Sequence, residues 1–346
     1  MKSLEKLIRK NIQSLKPYTS AREEFAGTAS VYLDANENPY GTNGLNRYPD
    51  PYHRELKAVV AEQTNLSLDQ IVIGNGSDEL LDLIMRVFCE PGKDNVIITP
   101  PTFGIYKVLA NTNNVEVREA PLNENWQIQP EEIIQQADEN TKLVFLCSPN
   151  NPTGNLMNTS SIERILTALN CLVVIDEAYI DFSGQESWIK KLNRYPNLIV
   201  TQTLSKGKAL AGIRVGFSFS SKEIAAYIDK IRLPYNMNTL SQQKALEVLS
   251  NPVPYSEFIK SILKERTGLG EALNSLPFVK KVFPTDANFF LVQFEDATAV
   301  YNYLLEESII VRNFSNAPGC SQCMRITVGT PDENKKLIES LQKFAK

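Results

Sequence analysis

"KLVFLCSPNNPTGNLMNTSSIERILTALNCLVVIDEAYIDF" (residues 142–182) sets two short apolar runs on either side of a helical pattern. The first run, KLVFLC (142–147), stops at SPNNPTG (148–154), whose asparagines, prolines and glycine make a rigid turn. A helix-like TSSIERILTALN (159–170) follows, and then a second apolar run, CLVVID (171–176). Strands that are apolar on both faces and alternate with helices belong to a parallel or mixed sheet covered by helices.

The alternation continues outward from this stretch. QIVIG (70–74), NVIIT (95–99), VEVRE (115–119), NLIVTQ (197–202) and RVGFSF (214–219) read as further strands, with SDELLDLIMRVFC (77–89) as a helix. The chain is therefore expected to be an α/β protein whose large domain spans residues 35–250. After the helical TLSQQKALEVLS (239–250), NPVP (251–254) marks a break. A long helical stretch to about Ser275 comes next, then NFFLVQF (288–294), a helix near 296–306, SIIVRN (308–313), MRITVGT (324–330) and a terminal helix. This tail, residues 251–346, reads as a smaller α+β domain. MKSLEKLIRKNIQSL (1–15) spaces Leu4, Leu7, Ile8, Ile12 and Leu15 at helical intervals. One amphipathic helix is expected there, in an N-terminal arm (1–34) belonging to the small domain.

Composition narrows the function classes. The 346 residues are 42% hydrophobic and 22% charged, with a formal net charge of −4 and no basic stripe, which argues against nucleic acid as a partner. No run approaches a membrane span, and the first segment lacks the apolar core of a signal peptide. Five scattered cysteines read as reduced thiols of a cytoplasmic protein. CSQC (320–323) has metal-ligand spacing, but with no second pair and His53 as the only histidine it reads as packing, and no metal is expected.

Four segments carry chemistry. SPNNPTG presents an amide side chain at a strand's carboxyl end, where open α/β sheets bind ligands. Asp176 ends a strand in the same way, as a partly desolvated carboxylate that needs a cation or a helix end to meet it. IGNGSDELL (73–81) runs strand, turn, helix, and the N–H groups of Ser77 and Asp78 suit a phosphate, although the sequence is only half a dinucleotide fingerprint. TLSKGKALAGIR (203–214) places Ser205 and Arg214, both natural phosphate ligands, around Lys206 and Lys208. A lysine beside cations and partly buried can fall from a pKa of about 10.4 toward neutrality and attack a carbonyl. An aldehyde cofactor with a phosphate tail and a pyridine nitrogen, pyridoxal 5′-phosphate, uses all four segments.

With these residues the chain resembles the fold-type I pyridoxal-phosphate-dependent aminotransferases, and among them the histidinol-phosphate aminotransferase family. The match runs through LKPYTSAR, LDANENPYG, RYPDP, GNGSDE, PPTFGIY, CSPNNPTG, DEAYIDF, TLSKGKALAGIRVGF and MRITVGT, in order and over nearly the whole chain. The resemblance implies that Lys206, not Lys208, forms the Schiff base and later moves the Cα proton, and that Gly207, often alanine in the family, leaves the site undisturbed. It implies Asp176 at the pyridine nitrogen, Tyr179 and Asn151 at the ring hydroxyl, and Phe103 stacked on the ring. Ser205, Arg214, Ser77 and Asp78 would hold the phosphate, joined by Tyr48 from a partner subunit of a homodimer. Arg325 would bind the substrate's anionic group, with Arg312 and Tyr18 adding contacts. The implied substrates are histidinol phosphate and glutamate or 2-oxoglutarate. A threonine-phosphate decarboxylase or a broad aromatic aminotransferase would share the same cofactor site.

Overall fold

The computed structural model describes residues 4–18, 29–41 and 43–345. Seven strands form the larger sheet: β1 (Ile71–Asn75), β2 (Asn95–Ile98), β3 (Glu116–Glu119), β4 (Thr141–Cys147), β5 (Leu172–Asp176), β6 (Leu198–Thr203) and β7 (Val215–Phe219). Their spatial order is β1-β7-β6-β5-β4-β2-β3, and only β7 runs against its neighbours. The carboxyl ends of β1, β2, β4, β5 and β6 therefore share one edge with the start of β7.

Both faces are covered because each central strand is apolar on both sides. Val144, Leu146, Val173, Ile175 and Val200 pack beneath helix Thr159–Ala168 through its Ile162, Ile165 and Leu166, spaced i, i+3, i+4. Leu143, Phe145, Leu172, Val174 and Ile199 face the other way, toward Leu80, Leu81, Ile84 and Phe88 of helix Gly76–Phe88. Each such side chain contributes roughly 1.5–3 kcal/mol on full burial. The alternation places Asp176 on the second face and Glu177 on the first.

The smaller sheet is antiparallel, in the order β10-β11-β9-β8, from β8 (Val279–Val282), β9 (Phe289–Phe294), β10 (Arg312–Asn313) and β11 (Cys323–Thr327). It packs on helices Val253–Asn274, Ala297–Glu306 and Pro331–Phe344 through Leu273, Leu304 and Leu341 among others. Helix Val253–Asn274 also touches the first unit, where Ile259 and Leu263 pack against Tyr179, Phe182 and Phe289. Cys320 and Cys323 are buried beside Phe283 and Leu291, and burial pushes the Cys323 thiol up to about 11.

Three local expectations need correction. The single N-terminal helix is two, Leu4–Leu7 and Lys10–Ser14, because Arg9 is extended and its N–H donates to the Val87 carbonyl (3.0 Å). Those helices do not belong with the small sheet: Leu7, Ile8 and Ile12 are buried in the same core as Val72, Leu80 and Phe145. SIIVRN yields only the two-residue β10, with Ile310 left 86% exposed. Residues 19–22 of LKPYTSAR lie outside the described residues.

His53, the only histidine, is 1% exposed at the start of helix Arg54–Thr64. Neither ring nitrogen has a hydrogen-bond partner among the described residues. Burial, followed by the nearby Arg232 and Lys57 charges, holds its pKa down to about 4. Asp229 lies between those two cations, accepting from Lys57 Nζ at 2.9 Å and Arg232 Nε at 2.7 Å.

Candidate active site

The shared carboxyl edge gathers side chains from five connections. Asp176, at the end of β5, is 2% exposed and lies in register with Cys147 of β4 and Thr201 of β6. Its Oδ2 accepts the Tyr106 hydroxyl at 2.7 Å and its Oδ1 accepts the Ala178 N–H at 3.1 Å. Burial raises its pKa, while Tyr106 and the Ala178 N–H oppose that rise. Glu177 faces the opposite core, where Ser187, the Trp188 N–H and Gln202 donate to it and burial pushes it to about 7. Of the two adjacent acids, only Asp176 faces the candidate site.

Lys206 leaves the loop that joins β6 to β7. Its Nζ lies 5.6 Å from the centre of the Tyr179 ring, which is itself 7% exposed and edge-on to Phe289. Solvent reaches Lys206, yet protein atoms crowd its ammonium; that desolvation and the Arg325 and Arg214 charges lower its pKa, against Asp78 and Asp176. Lys208 turns elsewhere, to Asp181 Oδ1 at 3.1 Å. Gly207 makes that pair possible: a Cβ there would come within 2.1 Å of Asp181 Oδ2. The alanine common in the resembling family therefore does not fit here unless Asp181 moves.

Arg214, Ser205 and Asp78 lie together. Arg214 adopts a left-handed backbone (φ 54°, ψ 59°), a strained state for a non-glycine residue and a frequent mark of functional positions. Its Nη1 is 3.5 Å from Ser205 Oγ and its Nη2 3.3 Å from Asp78 Oδ2. Ser77 and Asp78 occupy the first turn of helix Gly76–Phe88, where backbone N–H groups have no intrahelical acceptor. Gly216 lets β7 approach that turn, because a Cβ would stand 2.3 Å from the Ser77 nitrogen.

Arg325, on β11, crosses from the small sheet and donates to Asn151 Oδ1. Its guanidinium lies 5.3 Å from the Phe289 ring centre and 5.4 Å from that of Phe314, so two aromatic faces hold it. Arg312 is its partner in register on β10 and is exposed. Phe103 is half-buried, edge-on to Tyr106 at 5.7 Å.

The structure thus brings together Asn151, Asp176, Tyr179, Ser205, Lys206, Arg214, Ser77, Asp78 and Arg325, with Phe103 alongside. Of the other three, Arg312 stays exposed beside Arg325, and Tyr48 and Tyr18 do not enter the Lys206 cleft of the same chain. Tyr48 is 52% exposed and stacks on Tyr235 at 4.5 Å. Tyr18 is 72% exposed, in a groove of about 370 Å³ with Tyr52, Lys230 and Arg232.

Sequence reading missed Tyr106. It lies on the apolar face of a helix and reads as core, but a buried tyrosine hydroxyl needs an acceptor. The only signal was the presence of a strand-end acid elsewhere.

The chain matches the family model "Aminotransferase class I and II" over residues 26–341. The chain belongs to that family. It is 51% identical over 344 residues, covering 99% of this chain and 98% of the other, to the histidinol-phosphate aminotransferase of Christiangramia forsetii. The solved histidinol-phosphate aminotransferase from Clostridium acetobutylicum superposes with a TM-score of 0.81 at 31% identity, covering 87% of this chain and 91% of that one. The Sinorhizobium meliloti histidinol-phosphate aminotransferase, solved in complex with pyridoxal-5′-phosphate, shares the fold: TM-score 0.80, 24% identity, 90% of each chain.

Proposed function

We propose that this aminotransferase uses pyridoxal 5′-phosphate to exchange an amino group between L-histidinol phosphate (keto form, imidazole acetol phosphate) and 2-oxoglutarate or glutamate. The carrying observation is Arg325, held by Asn151 and two aromatic rings on the small-sheet side while its charge depresses the Lys206 pKa. The names of the relatives above support the same reading. An amino-donor screen with histidinol phosphate, phenylalanine, tyrosine and threonine phosphate, and 2-oxoglutarate as acceptor, tests it. Histidinol phosphate should be the best donor. Release of CO2 from threonine phosphate without an acceptor would overturn the reading in favour of a decarboxylase.

The residues present fit the parts of that cofactor. Ser205, Arg214 and the first-turn N–H groups of Ser77 and Asp78 would bind its phosphate, Asp176 its ring nitrogen, and Tyr179 and Asn151 its ring hydroxyl. Phe103 would cover a ring face. When bound, the group supplies an aldehyde for the lysine and a ring that withdraws charge from the substrate's Cα. Lys206 takes the Cα proton as general base and returns one; its lowered pKa enlarges the neutral fraction. Arg325 binds the carboxylate of glutamate in one half-reaction and the phosphate ester in the other. Arg312 and Tyr18 would add contacts to that ester.

If one arginine serves both anions, Arg325→Lys should raise KM for glutamate and histidinol phosphate together. Lysine keeps the charge and loses the bidentate fork, a cost of about 1.5–3 kcal/mol for a charged hydrogen bond. A change confined to glutamate would transfer the phosphate to Arg312.

The active unit is a homodimer in this reading, with Tyr48 of NRYPDPY (46–52) completing the partner's phosphate site. Lys206→Ala and Tyr48→Asp should each be inactive alone. Co-expressed as a tagged mixed dimer, they should regain up to about half of wild-type activity, since one of two symmetric sites carries neither defect. A mixed dimer as inactive as its parents would rule out sharing through Tyr48. No described helix is long and apolar enough to cross a membrane. The reading places the enzyme in the cytoplasm, which cell fractionation checks.

A further inference from the structure

We propose that Tyr106 is a positioning residue for this reaction: its hydroxyl, donating to Asp176 Oδ2, fixes the carboxylate's orientation and holds it as the anion that meets the cofactor's ring nitrogen. The proposal rests on the functional reading above for the identity of that nitrogen. It rests on geometry for the rest. Tyr106 is 0% exposed, and its hydroxyl donates to Asp176 Oδ2 at 2.7 Å.

The arrangement leaves the phenol little choice of role. The Tyr106 ring stacks on Phe145 of β4 (5.0 Å, 12°) and meets Phe103 edge-on, so its hydroxyl is aimed along β5 at the acid. Its own ionisation is driven well out of reach by burial and by Asp176, so it stays a donor across the working pH range. A buried carboxylate without donors takes up a proton rather than stay charged. A neutral acid could no longer offer a charge to a pyridinium.

The groups facing Asp176 are few and come from each surrounding element. Cys147 ends β4 beside it and has a thiol driven upward by burial. Asp78, on helix Gly76–Phe88, raises its pKa, and Glu177 follows it in the chain. Tyr179 and Lys206 lie on the open side and feel its charge. Lys206 is the group that must lose its proton during the reaction, whereas Tyr106, like the Ala178 N–H and the Thr201 hydroxyl that also hold the Asp176 pKa down, keeps its own.

Two substitutions test the idea without disturbing the ring packing. Tyr106→Phe keeps the stack and removes the hydroxyl; 3-fluorotyrosine placed at 106 keeps the shape and strengthens the donor. In the full-length protein loaded with ¹⁵N-pyridine-labelled pyridoxal phosphate, Tyr106→Phe should lower the pH at which the ring nitrogen loses its proton. In the cofactor-free chain, the ¹³C carboxyl signal of Asp176, assigned by its loss in Asp176→Asn, should titrate about one unit higher. Fluorotyrosine should move it the other way. kcat for Tyr106→Phe should fall about tenfold with donor KM within about twofold, as for an interaction that matters to the reacting state. An unchanged Asp176 titration in both variants would overturn the proposal and leave the proposed activity standing. A wild-type chain that takes up no pyridoxal phosphate would overturn the activity, while the carboxyl titration still judges the Tyr106–Asp176 contact.

Discussion

Lys206→Ala should bring transamination down by at least about a thousandfold, in the range assigned to loss of a positioned general base, and further for loss of the covalent link. With pyridoxal phosphate added, the variant should also lack the lysine Schiff-base absorbance expected of the wild-type protein. Alanine removes both the amine that joins the aldehyde and the base that moves the Cα proton. Lys208, two residues on, cannot stand in, because Asp181 holds its ammonium at 3.1 Å in a pocket lined by Glu177, Gln202 and Phe217. Borohydride reduction of the wild-type protein followed by peptide mapping gives the matching positive result: the cofactor adduct on the peptide containing Lys206. An adduct on Lys208, or a Lys206→Ala protein that keeps that absorbance and retains tenfold-reduced activity, would defeat the assignment.

The second large effect is expected for Asp176→Asn. The amide is nearly isosteric, and its oxygen can still accept from Tyr106 or from the Ala178 N–H, so the β5 end should hold its shape. Stability should change little or rise, since burial already disfavours the charged form of this acid. Activity should fall over a hundredfold, roughly 3 kcal/mol, because a neutral amide cannot keep a proton on the ring nitrogen as charge develops. Steady-state kinetics and thermal melts on one preparation separate the two quantities. Activity within tenfold of wild type would contradict the role, and a melt lowered in parallel would point to folding instead.

The sheet and much of the site could be read from residue order, for a physical reason. β4, helix Thr159–Ala168 and β5 each bury their apolar residues locally, so pattern and structure coincide there. The acid, lysine, serine and arginine all fall at ends of such runs, where a charge is unexpected. β8 escaped because VKKV is an edge strand whose lysines face solvent, leaving no apolar run to detect. The break at Arg9 escaped because it depends on Val87, far away in sequence. Tyr106 escaped for the same cause: its acceptor is 70 residues distant. The room that Gly207 leaves for Asp181 was likewise invisible, since it depends on two loops meeting.

The lone histidine turns the chain into its own spectroscopic gauge. A single imidazole C2 proton resonance comes from His53, with no overlap to resolve. Folded, the ring stays neutral until pH nears 4; unfolded, it charges near 6.5. Between those values the two states carry different charge, and so give separate signals whose ratio counts folded against unfolded chains directly. The same difference sets a direction for acid sensitivity: this residue's contribution to stability is complete above about 6.5 and drains away as pH falls toward 4, to a total of about 3 kcal/mol.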